Sequence, residues 1–324
     1  MKVVSADKVD ELLDFPALID ALADAFLGGI HAPVRHHHTI DRRHGTDSTM
    51  LIMPAWTDFT GGAADDGGYM GVKIVTVCPD NNQIGKPAVM GVYILSDGVT
   101  GQPLALIDGQ KLTLWRTAAA SALAGRYLAP KPARKMVMIG AGKLAPYLIR
   151  AHASLHPIQS VSVWNRTPEN ARKLADEMVD ETFDVVVCDD RAAAIADADI
   201  VSAATISSEP LVEGSWLSPG THLDLVGAFT PSMRESDDDA VMRATVFVDT
   251  FGGALKEGGD IVQPMQAGRL KRTDVVAELA TLCSGDHGGR AHPDEITLYK
   301  STGASLMDFA AAGLVWTRFQ ETCS

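Results

Sequence analysis

Val137-Met138-Ile139-Gly140-Ala141-Gly142-Lys143-Leu144-Ala145 leads a short apolar run into Gly-x-Gly-x-x-Ala and then into an amphipathic segment. Residues of these types at this spacing deliver a pyrophosphate to a helix N-terminus. Gly140 permits the tight turn, Gly142 lets the backbone approach the ligand, and Ala145 lets the helix pack on the strand. A dinucleotide-binding fold is predicted. The next apolar run, Val161-Ser162-Val163-Trp164, ends in Asn165-Arg166-Thr167, where an acid would bind the ribose 2′-hydroxyl of NAD. An acid would repel a 2′-phosphate, whereas Arg166, flanked by the Asn165 amide and the Thr167 hydroxyl, pairs with one bidentately. The expected cofactor is NADP (NADPH). Gly-x-Gly-x-x-Ala alone also occurs in other tight turns and in methyltransferases, but a methyltransferase would carry an acid after the second strand.

Three cations stand out against this background. Lys73 is the single charge in Gly71-Val72-Lys73-Ile74-Val75-Thr76-Val77, and a buried ammonium is heavily penalised unless it snorkels out or meets an anion. It is either part of a structural ion pair or edge strand, or a substrate-binding cation. Arg116, in Leu112-Thr113-Leu114-Trp115-Arg116-Thr117-Ala118-Ala119, is placed near the start of a helix, where the macrodipole disfavours a cation. A bound carboxylate would offset that, and so would a surface acid. Arg35 precedes His36-His37-His38 and is either a carboxylate clamp or part of a solvated basic loop. Adjacent histidines on an extended chain point to opposite sides, so no metal site is expected. No Gly-x-Ser-x-Gly or His-Glu-x-x-His is present, which disfavours hydrolase chemistry. Hydride transfer needs mainly orientation and charge complementarity, because the cofactor carries the hard chemistry.

The elements that must position these groups fall into two series. The chain has 324 residues, 46% of them hydrophobic, and no apolar run long enough to span a bilayer. Its formal charge of −13 opposes nucleic acid and anionic membrane as partners. The four cysteines lack metal or disulfide spacing, and the N-terminal residues lack a secretory pattern, so a reducing cytoplasm is expected. Residues 5–26 read as one or two helices with Ser5 and Asp7 as caps and Pro16 as the interruption. Strands are expected over 49–54, 70–77, 89–95 and 103–107, with a loop over 61–68 and a hairpin at Asp97-Gly98-Val99-Thr100-Gly101. An Ala-rich helix is expected over 113–128, ended by Pro130-Lys131-Pro132. Beyond it, strands at 135–139, 160–164, 184–187, 200–204 and 221–226 alternate with helices at 144–155, 168–179 and 192–196, the pattern of a parallel sheet with crossover helices. A last helix, 303–319, lies outside that series. The fold class is therefore α/β: a Rossmann-type doubly wound parallel sheet plus a second α+β domain.

Gly71-x-Lys73, Pro79-x-Asn81 with Gly85-x-Pro87, Asp97-x-x-Thr100-Gly101-x-Pro103, Leu112-Thr113-x-x-Arg116-Thr117-Ala118-Ala119, Gly140-Ala141-Gly142 and Lys300-Ser301-x-Gly303 occur in this order. In this the chain resembles the ornithine cyclodeaminase/mu-crystallin family over nearly its whole length. The resemblance implies a homodimer with substrate held between two domains. One, 1–130 with 300–324, would bind substrate and dimerise; the other, 131–299, would bind NADP. Arg35, Lys73 and Arg116 then look like the substrate-binding cations, with Lys73 and Arg116 also catalytic. Gly140, Gly142, Ala145, Asn165, Arg166, Thr167 and Ser301 look like the cofactor set.

Two departures from the family pattern narrow the chemistry. Where the cyclodeaminases carry an aspartate that acts on the ornithine amine, Val226-Gly227-Ala228-Phe229-Thr230-Pro231 has Phe229. Where they carry a glutamate before Met53-Pro54, this chain has Met50, Leu51 and Ile52. The partners for a diamine's ammonium groups are gone. The resemblance thus implies the ketimine reductase branch, reducing the cyclic imino acids Δ1-pyrroline-2-carboxylate or Δ1-piperideine-2-carboxylate to L-proline or L-pipecolate. Arg35 and Arg116 would hold the carboxylate, and Lys73 would assist imine protonation directly or through water, although its charge opposes an iminium in contact. The competing readings are an NAD(P)-dependent alanine dehydrogenase, an ornithine cyclodeaminase, or a nucleotide- and ligand-binding protein in the manner of mu-crystallin.

Overall fold

Two sheets of different character organise the chain in the computed structural model, which describes residues 1–60 and 67–322. The first unit, Met1–Arg116 with Ala304–Ser324, opens with strand β1 (Lys2–Val4) and helices α1 (Ala6–Leu12) and α2 (Phe15–Phe26). Ser5 caps α1 and Asp14 caps α2, each accepting a hydrogen bond from a backbone N–H of its helix. The interruption expected at Pro16 is therefore corrected. The break lies at Leu13 and Asp14, and Pro16 sits in the first turn of α2, where the missing N–H is no loss.

Strands β2 (Ile30–His31), β3 (His36–Ile40), β4 (Ser48–Thr57), β5 (Tyr69–Val77), β6 (Val89–Asp97) and β7 (Pro103–Asp108) complete the first sheet. Its order is β1-β7-β6-β5-β4-β2, with β3 also paired to β4. Only β1 with β7 is parallel; the remaining pairs are antiparallel. The hairpin between β6 and β7 forms as its residues predict, with Asp97 Oδ1 accepting from Val99 N and Thr100 N and Gly101 at φ +73°. Of the loop expected over 61–68, residues 61–66 lie outside the described residues. The strands alternate strictly. Met53 and Ala55, Lys73 and Val75, Tyr93 and Leu95, and Ala105 and Ile107 are buried, while their neighbours are half-buried or exposed.

Helix α3 (Gly109–Leu128) starts four residues before the expected 113, and the division between the two units falls inside it. Arg116 is consequently in its second turn, beyond the reach of the helix-start argument, and its partner must be found elsewhere.

The second unit, Thr117–Gly303, continues with β8 (Lys135–Ile139), α4 (Ala145–Leu155), β9 (Ser160–Trp164), α5 (Pro168–Glu177), β10 (Asp184–Val187), α6 (Arg191–Ala196), β11 (Ile200–Ala203) and β12 (His222–Leu225). Then follow α7 (Asp238–Arg243), β13 (Thr245–Val248), α8 (Phe251–Glu257), α9 (Gly259–Gln266), β14 (Val275–Glu278), α10 (Leu279–Ser284) and β15 (Thr297–Lys300). Helix α11 (Ser305–Thr322) belongs to the first unit. The second sheet runs β10-β9-β8-β11-β12-β15-β13-β14, every pair parallel. Strand order reverses between β8 and β11, and the carboxyl ends of those strands are where Rossmann-type sheets hold their ligands.

Candidate active site

In the first unit, β5 aims Lys73 at α11. Its side chain is 2% exposed, and Nζ donates to Asp308 Oδ1 at 2.7 Å while standing equally close to Oδ2. Thr113 Oγ1 accepts a second bond from the ammonium at 3.2 Å. From α3, Arg116 Nε reaches the same Asp308 Oδ1 at 3.0 Å. Arg116 is 7% exposed and Asp308 fully buried. Burial alone would raise the Asp308 carboxyl, but Arg116 and Lys73 overcome it and hold the group below the usual carboxylate range. Burial pulls the Lys73 ammonium down against the pull of Asp308, and Arg116 and Arg35 add to the fall, leaving it at about 8. Arg35 is half-buried just before β3.

Sequence reasoning found both cations and missed the acid between them. Asp308 lies far along the chain in a helix of low amphipathic contrast, and the one available signal was an acid inside the apolar run Ser305-Leu306-Met307-Asp308-Phe309. Tyr93 was missed as well. It pairs across the sheet with Lys73, its ring lies over Gly71, and Oη makes no hydrogen bond. A Cβ at Gly71 would overlap that phenol, which accounts for glycine two residues before the lysine. Burial, with the charge of Asp308, pushes the Tyr93 hydroxyl well above its ordinary range, so it stays a donor. The residues that stand in place of the cyclodeaminase carboxylates are apolar: Met50, Leu51 and Ile52 are half-buried on β4, and Phe229 is 41% exposed. The histidines of β3 are exposed.

In the second unit the fingerprint residues gather at the carboxyl ends of β8 and β9. Gly140 adopts φ +104°, and its N–H donates to Trp164 O. Asn165 Oδ1 accepts from Ala141 N at 3.2 Å, so the amide holds the fingerprint turn to the loop after β9. A Cβ on exposed Gly142 would meet nothing within 4 Å, which fits a backbone surface left open for a pyrophosphate, and Ala145 is buried in the first turn of α4. Arg166 is exposed and has no ion-pair partner among the described residues. Thr167 stands exposed at the N-cap of α5. Ser301 is buried and its hydroxyl donates to Asp249 Oδ2 at 3.3 Å; that carboxylate also accepts from Thr302 N and Gly303 N, shaping the segment after β15.

The sequence model of the ornithine cyclodeaminase/mu-crystallin family matches residues 2–322. A Δ1-pyrroline-2-carboxylate reductase from Colwellia psychrerythraea is 34% identical over 96% of this chain and 97% of its own length. The solved Δ1-pyrroline-2-carboxylate reductase of Thermococcus litoralis, in complex with NADH and L-proline, superposes with a TM-score of 0.92 at 32% identity, covering 100% of this chain and 98% of that one. An archaeal alanine dehydrogenase dimer with bound NAD gives a TM-score of 0.89 at 27% identity, covering 100% and 97%.

Proposed function

Because the chain belongs to the ornithine cyclodeaminase/mu-crystallin family, we propose that it reduces Δ1-pyrroline-2-carboxylate and Δ1-piperideine-2-carboxylate to L-proline and L-pipecolate with NADPH. It is a nicotinamide-dependent oxidoreductase acting on C=N bonds. The observation that carries the finer reading is the sharing of one buried acid, Asp308, by Lys73 and Arg116. Two cations on one carboxylate leave a net positive charge away from water, matched to a single substrate carboxylate. Arg35 and Arg116 grip that carboxylate and fix the ring. Lys73, ammonium at neutral pH yet acidic enough at about 8 to release its proton, protonates the imine nitrogen. Asp308 keeps the amine charged until then. When bound, NADPH supplies the hydride that completes the secondary amine. On the Lys73 face of β4, Leu51 is apolar where the resemblance to the cyclodeaminases calls for a glutamate close by, which suits an uncharged ring better than a diamine.

NADPH binding rests on Gly140, Gly142 and Ala145 for the pyrophosphate, on Asn165, Arg166 and Thr167 for the 2′-phosphate, and on Ser301 after β15. Replacing Arg166 with Ala raises the Kd for NADPH about tenfold or more and leaves NADH unchanged. Equal affinities for both nucleotides before and after the change would remove the 2′-phosphate assignment.

The first unit also presents the surface for a homodimer. Opposite its buried face the sheet carries Ile52, Ile74 and Val92 in one cross-strand row and Pro54, Val72, Ile94 and Leu106 in the next, half-buried or exposed. Such an apolar sheet face fits a second copy of the same face.

Steady-state assays with NADPH and each imine, and with pyruvate plus ammonia, test the reaction. Turnover of the rings supports the reading, and turnover only with pyruvate and ammonia transfers it to alanine dehydrogenation. Lys73→Met lowers kcat by about 10²- to 10⁴-fold with unchanged NADPH affinity; unchanged kcat would remove Lys73 as the acid.

A further inference from the structure

Glu235, between β12 and α7, has no part in the chemistry above, yet it is fully buried and fully engaged. Its Oε1 accepts from Thr205 N at 2.6 Å and Thr205 Oγ1 at 2.9 Å. Its Oε2 accepts from Gly227 N at 2.7 Å and Ala228 N at 3.2 Å. Thr205 follows β11 and Gly227 follows β12, so one carboxylate ties together the loops leaving two adjacent parallel strands at their carboxyl ends. Gly227 lets the loops meet, since a Cβ there would overlap the Thr205 backbone. On the other side, the same segment backs the fingerprint turn. A Cβ on Gly140 would come within 2.8 Å of Ala204 O and 3.0 Å of Thr205 Cγ2. Contact therefore runs from Glu235 through Thr205 to Gly140, across the point where strand order reverses.

Glu235 is itself anchored. Asp260 Oδ1, on α9, accepts from Glu235 N at 2.7 Å and Ser236 N at 2.9 Å, and Asp260 Oδ2 stands 3.2 Å from Lys300 Nζ at the end of β15. Asp260 and Lys300 are both fully buried and are the charged groups whose fields reach Glu235. Burial, eased by Lys300 and reinforced by Asp260, pushes the Glu235 carboxyl up to about 7.

We propose that Glu235 is a positioning residue for the dinucleotide, its ionised carboxylate holding the Thr205 and Gly227 loops at the spacing the fingerprint turn requires. Protonation breaks the arrangement, because three of its four partners are N–H donors with nothing to offer an added O–H. The site then loosens on the acid side of neutrality.

Binding of NADPH and of NADH, followed by fluorescence from about pH 6 to about pH 8 and independent of any imine substrate, tests this directly. The wild-type protein is expected to bind progressively more weakly below about pH 7. Glu235→Gln sets an amide donor against the loop N–H groups and is expected to weaken both nucleotides about tenfold or more at pH 8, with a flat pH profile and kcat at saturating cofactor within about threefold. Thr205→Val removes one hydroxyl donor, preserves volume, and is expected to give a smaller loss of affinity in the same direction. It carries the test if Glu235→Gln does not fold. Wild-type affinity and pH dependence in a folded Glu235→Gln, or in Thr205→Val when that variant stands alone, overturn the proposal. So does a loss confined to kcat.

Discussion

Two buried clusters concentrate charge in this chain, and their balances are opposite. Lys73, Asp308 and Arg116 set two cations on one carboxylate; Glu235, Asp260 and Lys300 set two carboxylates on one ammonium. This chain satisfies the two excesses differently. Backbone N–H groups can satisfy a surplus carboxylate from within, and here the backbone and hydroxyls of Thr205, Gly227, Ala228, Glu235 and Ser236 do so. The surplus cation finds no comparable array of acceptors among the described residues; besides Asp308, Lys73 Nζ donates only to the Thr113 hydroxyl. In the acid-rich cluster the Glu235 carboxylate is thus satisfied from within, as a brace requires. The cation-rich one keeps a net positive charge, which the substrate carboxylate of the proposed reaction would complete.

The strongest way to break this comparison is to remove one acid from each cluster. Asp308→Asn leaves Lys73 and Arg116 side by side with no counterion, and urea unfolding is expected to show a loss of about 3–5 kcal/mol. Asp260→Asn leaves Glu235 facing Lys300 as a balanced pair and keeps an amide oxygen for the two backbone N–H groups, so its loss is expected at about 1–3 kcal/mol. Equal losses would show that the two imbalances are energetically alike. A smaller but sharper effect concerns rate. With Lys73 as the acid, kcat/KM for the imine falls as pH rises through about 8, approaching tenfold per pH unit. A flat profile there would place the proton elsewhere.

The second unit was legible because its signals are local: β8, β9 and β10 match their expected spans to the residue, set by short apolar runs between turn residues. Between 226 and 303 no element was read, since β13, β14 and β15 are four-residue strands without a turn signature and are defined only by their neighbours in the parallel sheet. The two clusters divide in the same way. Lys73 and Arg116 stood out as charges in apolar runs, whereas Asp308 is 192 positions from Arg116, and that pairing is visible only once α11 packs on the sheet. Glu235 gave no sign at all. It lies in Arg234-Glu235-Ser236-Asp237-Asp238-Asp239, whose composition does not set one carboxylate apart from the others, and only the fold shows that Glu235 is sealed in.

The least conspicuous consequence is in stability against pH, where the clusters should pull in opposite directions. Glu235 has its carboxyl raised from 4.5 to about 7 by burial, with Asp260 adding to the rise against Lys300, so within that window the folded chain keeps a proton the unfolded chain has lost. Stability from this group is thus lost as pH rises through the window. Lys73 is lowered from 10.5 to about 8, so there the unfolded chain holds the proton the folded chain has released, and stability rises with pH. Each slope is bounded by about 1.4 kcal/mol per pH unit. Unfolding midpoints of wild type minus Glu235→Gln should fall with pH on the acid side of neutrality, and wild type minus Lys73→Met should climb in the alkaline range. Two difference curves of the same sign would mean that charge excess alone does not set these groups apart, and that the backbone donors around Glu235 stabilise its anion enough to cancel the burial.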